Sequence, residues 1–258
     1  DYLIDAANSY FPDHQLTRAH VISTWAGIRP LMAPPDADGE LSESKVSREH
    51  AIVVGADRLV TVAGGKLTTY RRMAAEVVDT AVRLLELTDG AMELEPARTD
   101  KAPLPGARGW PADDDHARVA EEVEKAGHPH VPSDAARYLA DTYGMRALEL
   151  AQLVAKDRAL RARLVEGRPE ILAVVDWAVR EELAATVCDL MVRRTQLFYR
   201  DLDQGLGALP AVASRLAALL GWGGAREARG VERYRAVVAA SRAWRGEGEA
   251  RPAPEARA

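Results

Sequence analysis

Arg29, Arg48 and Lys66 stand in the first quarter of the chain, each at the end of a segment with strand character. Together they have the chemistry to hold an anion. An arginine presents a fork of N–H donors that a phosphate or carboxylate can accept two at a time, and a lysine adds a compact charge. Three cations gathered at strand ends repel one another unless something negative lies among them. The plainer alternative is that each pairs separately with a surface acid. Lys66 has a further context, the run LVTVAGGKLTTYRR at 59–72. Leu59 to Val62 are strand formers, Gly64-Gly65 breaks the strand, and a helix restarts with Tyr70, Met73, Val77, Ala81 and Leu84 on one face. Thr68 or Thr69 is the expected N-cap. Glycines let a ligand approach the backbone, and a helix start offers unbonded N–H groups and partial positive charge. A tight turn with a solvated lysine is the competing account of the same residues.

Other residues with reactive side chains read as structural. His128 and His130 lie in a proline-rich loop without a third ligand, so no metal site is expected. Asp113, Asp114, Asp115 and His116 read as an acidic helix start. His50 alternates with apolar residues and reads as a strand position. Arg193 and Arg194 are expected to pair with Glu181, Glu182 or Asp189 along a helix surface. Trp177, Phe198 and Trp222 read as core. No nucleophile–base pair, phosphate-loop motif or GxGxxG fingerprint occurs in the sequence.

The elements that must position these residues divide into two stretches. Residues 1–10 read as helix, and strands are expected over 21–31, 45–54 and 59–63, with the last two forming a hairpin. A long helix follows over 70–87. From there the pattern is helical only, with helices expected over 113–126, 134–143, 146–155, 171–179, 181–199, 209–219 and 225–244. Ser133 is the expected cap of the second of these, and Gly144 its terminator. The tail from Gly246 lacks apolar anchors and is expected to be disordered. At 47% hydrophobic and 28% charged the composition is that of a soluble globular protein, and a net charge of −5 argues against a general nucleic-acid binder. Cys188 is the sole cysteine, which fits a reducing compartment. No apolar run is long enough to span a bilayer, and no signal-peptide pattern is present. The opening DYLIDAANSYFP reads as a helix already in progress, so the chain is expected to be the later part of a longer protein.

STWAGIRPL at 23–31, SREHAI at 47–52, TVAGGKLTTYRRMA at 61–74, PLPG at 103–106 and EELAATVCDLMVRRTQLFYRD at 181–201 carry a resemblance. In order and spacing they resemble the FAD-dependent sn-glycerol-3-phosphate dehydrogenases, whose sister enzymes include glycerol-3-phosphate oxidases. The resemblance implies an α+β chain. Residues 1–92 would be the C-terminal segment of an oxidoreductase domain of the glutathione-reductase type, with a few strands and one long helix. Residues 93–110 would be a linker, 111–245 an all-helical domain and 246–258 the tail. It implies oxidation of glycerol 3-phosphate to dihydroxyacetone phosphate, with FAD taking the hydride and a quinone, or oxygen in the oxidases, taking the electrons. By the same resemblance Arg29, Arg48 and Lys66 fall on the substrate-site cations, with Lys66 and Arg29 at the chemistry. Gly64, Gly65, Lys66, Leu67 and Thr68 fall on the segment against the flavin ring. The implied setting is cytoplasmic, peripheral on the inner face of the cell membrane, as a homodimer in glycerol metabolism. The family's N-terminal half, which carries its dinucleotide fingerprint and candidate base, is not in this sequence. A helical interaction module with no chemistry of its own is the alternative from another class.

Overall fold

The structure is a computed structural model that describes residues 1–27, 49–89 and 95–245. The chain divides into two compact units, one made of Asp1–Trp25 with Pro105–Ala258 and the other of Ala26–Leu104.

The smaller unit holds a hairpin and a helix. Strand β1 (His50–Val54) pairs antiparallel with β2 (Val60–Gly64), in a register that sets His50 opposite Gly64 and Val54 opposite Val60. The link between them is closed locally. Gly55 N–H donates to the Leu59 carbonyl at 2.9 Å, Arg58 takes φ 68°, and the Asp57 carboxylate accepts from Leu59 N–H at 3.2 Å. Helix α2 (Tyr70–Asp89) packs against β2, with Met73, Val77, Ala81 and Leu84 half-buried as the periodicity predicts, while Tyr70, expected on that face, is exposed in the first turn. None of the unit's described side chains is fully buried, and Val53, Leu59, Val62, Leu67 and Val78 are exposed. A two-stranded sheet and one helix do not enclose a core. The expected strand over 21–31 is not seen in its described part, since Val21–Gly27 has no regular structure. β-branched residues favour extended backbone, but a strand exists only where a neighbour completes the ladder, and among the described residues β1 and β2 pair only with each other. The rest of that segment, with Arg29 and Arg48, lies outside the described residues, as does the tail from 246.

The larger unit is helical. Helix α1 (Tyr2–Tyr10) belongs to it, as do α3 (His116–Gly127), α4 (Ser133–Tyr143), α5 (Ala147–Lys156), α6 (Ala173–Arg180), α7 (Leu197–Arg200), α8 (Leu209–Leu220) and α9 (Gly224–Arg242). Two apolar cores lie side by side. Val119, Leu139, Leu150 and Val154 fill the one among α3, α4 and α5. Leu190, Leu197, Val212, Leu216 and Tyr234 fill the one reaching α8 and α9. Helix α6 joins them, with Val174 and Trp177 in the first and Val175 and Ala178 in the second. Being buried all round, it reads in sequence as strand or helix equally well. On it Asp176, 1% exposed, accepts two bonds from Arg215 at 2.8 and 2.7 Å.

Three expectations need correction here. Ser133 does not cap α4. Pro132 occupies the cap position and Ser133 is the first helical residue. Helix α3 begins at His116 rather than Asp113, because the Asp115 carboxylate accepts from Arg118 N–H at 3.0 Å and so sets the start. The helix expected over 181–199 is broken. Leu183 and Gln196 take φ 56° and 58°, Asp189–Arg194 winds as a π-helix, and only Leu197–Arg200 is α-helical afterwards. The cause is side-chain competition for the backbone. Asp189 accepts from Ala185 N–H and the Thr186 hydroxyl, and the Thr195 hydroxyl donates to the Leu190 carbonyl at 3.0 Å.

Gly144 ends α4, as expected, at φ 59° and ψ −139°. A Cβ there would run into the Gly106 carbonyl, where the PLPG loop crosses the helix end. Gly144→Ala therefore combines a backbone region that only glycine visits readily with a steric clash. It is expected to cost about 2–3 kcal/mol in urea unfolding, and a cost under about 0.5 kcal/mol would show that the loop is not held there.

Candidate functional site

The Gly64–Thr69 turn joins β2 to α2. Gly64 and Gly65 have φ of 76° and 81°, a region that side-chain-bearing residues avoid. Packing demands the first, which abuts backbone, while the second lies against the movable end of a side chain. A Cβ on Gly64 would lie 2.5 Å from the Glu49 carbonyl oxygen, and one on Gly65 would lie 2.7 Å from Met73 Sδ. The double glycine lets the strand end fold tightly onto its hairpin partner and onto α2.

A single 3₁₀ turn, Leu67–Thr69, precedes α2, with Lys66 in the cap position and no side-chain cap bond. The expectation that Thr68 or Thr69 caps the helix is thus corrected. Both threonines lie within the turn, and the Thr69 hydroxyl donates to the Lys66 carbonyl at 2.9 Å instead of accepting an N–H. The helix start is left without a side-chain acceptor, so its first amides can meet one from outside. Lys66, Leu67 and Thr68 are exposed, Leu67 at 88%. Among the described residues no carboxylate lies within ion-pair distance of Lys66. The structure therefore brings Gly64, Gly65, Lys66, Leu67 and Thr68 together at one uncapped mouth. Arg29 and Arg48 lie outside the described residues.

A brace behind the turn went unnoticed in the sequence. His50 Nε2 lies 2.7 Å from Glu76 Oε2, and Arg72 Nε donates to Glu76 Oε1 at 2.8 Å. The carboxylate ties the start of β1 to α2 across the base of the glycine turn. The i, i+4 spacing of Arg72 and Glu76 was visible, but the third partner comes from a strand 26 residues away. Arg72, then His50, hold the Glu76 carboxyl below its ordinary range. A depressed carboxylate contributes stability above its unfolded pKa and loses it as the pH falls through the folded value. The protection factors of the His50–Val54 amides, with the intrinsic pH dependence of exchange divided out, are accordingly expected to fall in mild acid, and Glu76→Gln should remove most of that change. A wild-type strand insensitive to acid would show that the brace does not hold the hairpin.

Arg193 and Arg194 pair with Asp189 at 2.8 Å and Glu182 at 2.7 Å, as read from their spacing.

Residues 97–227 match the family described as the C-terminal domain of alpha-glycerophosphate oxidase, which is half of the chain and most of its helical unit. The chain belongs to that family. Among curated relatives it is 32% identical over 231 residues to a probable mitochondrial glycerol-3-phosphate dehydrogenase of Dictyostelium discoideum, covering 88% of this chain and 34% of that one. It is 34% identical over 226 residues to a glycerol-3-phosphate dehydrogenase of Synechocystis, covering 86% of this chain and 38% of the relative. Glycerol-3-phosphate dehydrogenase 2 of Mycobacterium tuberculosis is 33% identical over 245 residues, covering 93% of this chain and 38% of its own length. Matches this long take in the Gly64–Thr69 turn as well as the family's helical domain. The chain thus spans little more than a third of the length of these relatives. Among solved structures, the glycerol-3-phosphate dehydrogenase of Bacillus halodurans complexed with FAD has the same fold over 93% of this chain and 44% of its own, with a TM-score of 0.70 and 24% identity.

Proposed function

We propose that this chain is the C-terminal part of an FAD-dependent enzyme that oxidises sn-glycerol 3-phosphate to dihydroxyacetone phosphate. The observation that carries the reading is the exposed Lys66 at an uncapped helix start behind two left-handed glycines, in a family member whose relatives are named glycerol-3-phosphate dehydrogenases. The domain layout belongs to the same proposal. Residues 1–92 complete an oxidoreductase domain, with Asp1–Trp25 clustering with the helical unit, while 93–110 link and 111–245 form the helical domain. The exposed apolar residues of the hairpin and α2 suit an element that continues a larger sheet.

The turn fits the ring end of a flavin. Gly65, Lys66, Leu67 and Thr68, with Gly64 behind them, would hold it, since an electron-rich ring edge suits uncapped amides and a lysine charge. When bound, FAD supplies the two-electron acceptor for the hydride leaving C2 of the substrate. The residues of this chain do the rest. Arg29 and Arg48 clamp the phosphate with forked donors. Lys66 would serve both substrate and flavin, its charge favouring negative charge on either. Holding the phosphate orients C2, which is where positioning lowers the barrier. The ADP end of the cofactor needs a dinucleotide fingerprint, and the family carries that in its N-terminal half.

A quinone is the proposed electron acceptor, at the inner face of the cell membrane. The proposed contact is peripheral; among the described residues no helix is long and apolar enough to cross a bilayer. Oxygen is the alternative, because the matched domain takes its description from an oxidase. The test is anaerobic addition of glycerol 3-phosphate to the flavin-loaded enzyme that contains this chain. The flavin absorbance should bleach and recover faster with a quinone than with oxygen. A flavin that stays oxidised would remove the dehydrogenase reading, and recovery faster with oxygen would reassign the enzyme as an oxidase.

A further inference from the structure

Most charged pairs in the helical unit follow one arrangement, an arginine against an acid. Arg118 pairs with Asp113, Arg137 with Asp141 and Arg163 with Asp134. The first half of helix α9 departs from it, although Arg242 at its end pairs with Asp203. Arg226, Arg229 and Arg233 have no carboxylate within ion-pair distance among the described residues. Spacings of three and four put them on one exposed helix face. That face walls a groove of about 750 Å³ whose other side is Ala185–Cys188 and whose end is Trp222.

The groove has a two-part chemistry. Val187, Cys188 and Trp222 make its floor apolar. The Arg226 guanidinium lies 4.9 Å from the centre of the Trp222 ring, and the indole N–H is shielded from solvent with no hydrogen-bond partner. One acid, Glu232, stands at the edge. Gly230 is an independent sign that the space is kept. A glycine inside a helix weakens it relative to alanine, and this one does not have a positive φ that would require glycine. Nor does packing require it. A Cβ there would meet Val187 Cγ2 at 3.5 Å and Trp222 Cζ3 at 3.6 Å, ordinary contact distances. What the missing side chain does is deepen the groove between the arginines and the indole.

We propose that this groove binds an organic phosphate, with the anion held by Arg226, Arg229 and Arg233 and the apolar body lying on Val187, Cys188 and Trp222. Forked guanidinium donors match a phosphate, and an apolar concavity with a few placed polar groups is the usual form of a small-molecule site. Nothing in this proposal depends on the flavin or on Lys66.

Cys188, the sole cysteine of the chain, is a reporter inside the groove. The experiment measures its alkylation by iodoacetamide, with phenyl phosphate as the probe and phenol and inorganic phosphate as controls. Phenyl phosphate is expected to protect the thiol saturably, half-maximally at a concentration at least ~10-fold below either control. The double variant Arg229→Gln/Arg233→Gln should raise that concentration ~10-fold or more relative to its own unprotected rate. Arg118→Gln, whose arginine pairs elsewhere, should leave it unchanged. Gly230→Ala should weaken protection while raising the unfolding midpoint by about 2–4 °C, which separates lost binding from lost folding. Vesicles of phosphatidylglycerol form the lipid arm. Protection by vesicles without protection by phenyl phosphate would make the groove a membrane contact and overturn the small-molecule site. Equal protection by phenol, or no effect of the arginine pair, would overturn it as well.

Discussion

Arg48→Ala in the flavin-loaded enzyme is expected to lower kcat/KM for glycerol 3-phosphate at least ~30-fold while leaving the slow turnover of glycerol nearly unchanged. The argument is about what the arginine reads. A guanidinium–phosphate contact is charge-assisted and can be bidentate. Removing one partner of a desolvated charged pair costs about 2–5 kcal/mol, and 1.4 kcal/mol is a decade in rate. Glycerol has no phosphate, so it has nothing to lose at that position. Lys66 differs because the structure places it at the α2 start, where the proposal has the flavin ring as well as the substrate. Lys66→Ala should depress turnover of both compounds. Steady-state kinetics on the two substrates separates the roles. Equal loss for glycerol and glycerol 3-phosphate in Arg48→Ala would show that the arginine does not read the phosphate.

The largest stability effect is expected in the helical unit, at Arg215→Met. Asp176 is 1% exposed on α6, the helix shared by both cores, and Arg215 meets both of its oxygens. Breaking a buried pair from one side leaves a carboxylate in low dielectric, which typically costs about 3–5 kcal/mol. Arg180, 3.4 Å from one oxygen, remains and sets the expectation at the lower end, about 3 kcal/mol. Replacing both partners, Asp176→Leu with Arg215→Met, should recover most of that loss, because the cost lies in the orphaned charge rather than in the missing attraction. Denaturant unfolding of the three variants is the check. A single variant as stable as the wild type would mean that water reaches Asp176.

What was legible in the sequence follows the reach of the forces involved. Helix α2, the hairpin and α8 rest on local periodicity and turn chemistry, and all three lie where the pattern puts them. The family resemblance rested on short motifs in order, and the relatives and the matched domain agree with it. The failures involve partners that periodicity does not show. Val21–Gly27 has strand composition but, among the described residues, no strand beside it. The 181–199 segment is apolar at helical spacing, yet Asp189, Thr186 and Thr195 divert its backbone. Thr69 turned inward to the Lys66 carbonyl, a choice between two local bonds that spacing alone does not decide. His50 looked like a plain strand residue because Glu76, its partner, belongs to a different element. Of the site itself, the Gly64–Thr68 mouth was readable because glycine, lysine and helix start are contiguous. The meeting of Lys66 with Arg29 and Arg48 remains the proposal's own, since the described residues include only the lysine.

The central claim is that Lys66 faces the flavin, and a redox titration of the bound cofactor addresses it most directly. A positive charge beside the ring favours the anionic reduced form, so Lys66→Ala should shift the two-electron potential to more negative values. Arg48→Ala, which in the proposal touches only the phosphate, should leave that potential where it is in the wild type. A Lys66→Ala enzyme with a wild-type potential would contradict the account and return the Gly64–Thr68 turn to a solvated strand-to-helix connection.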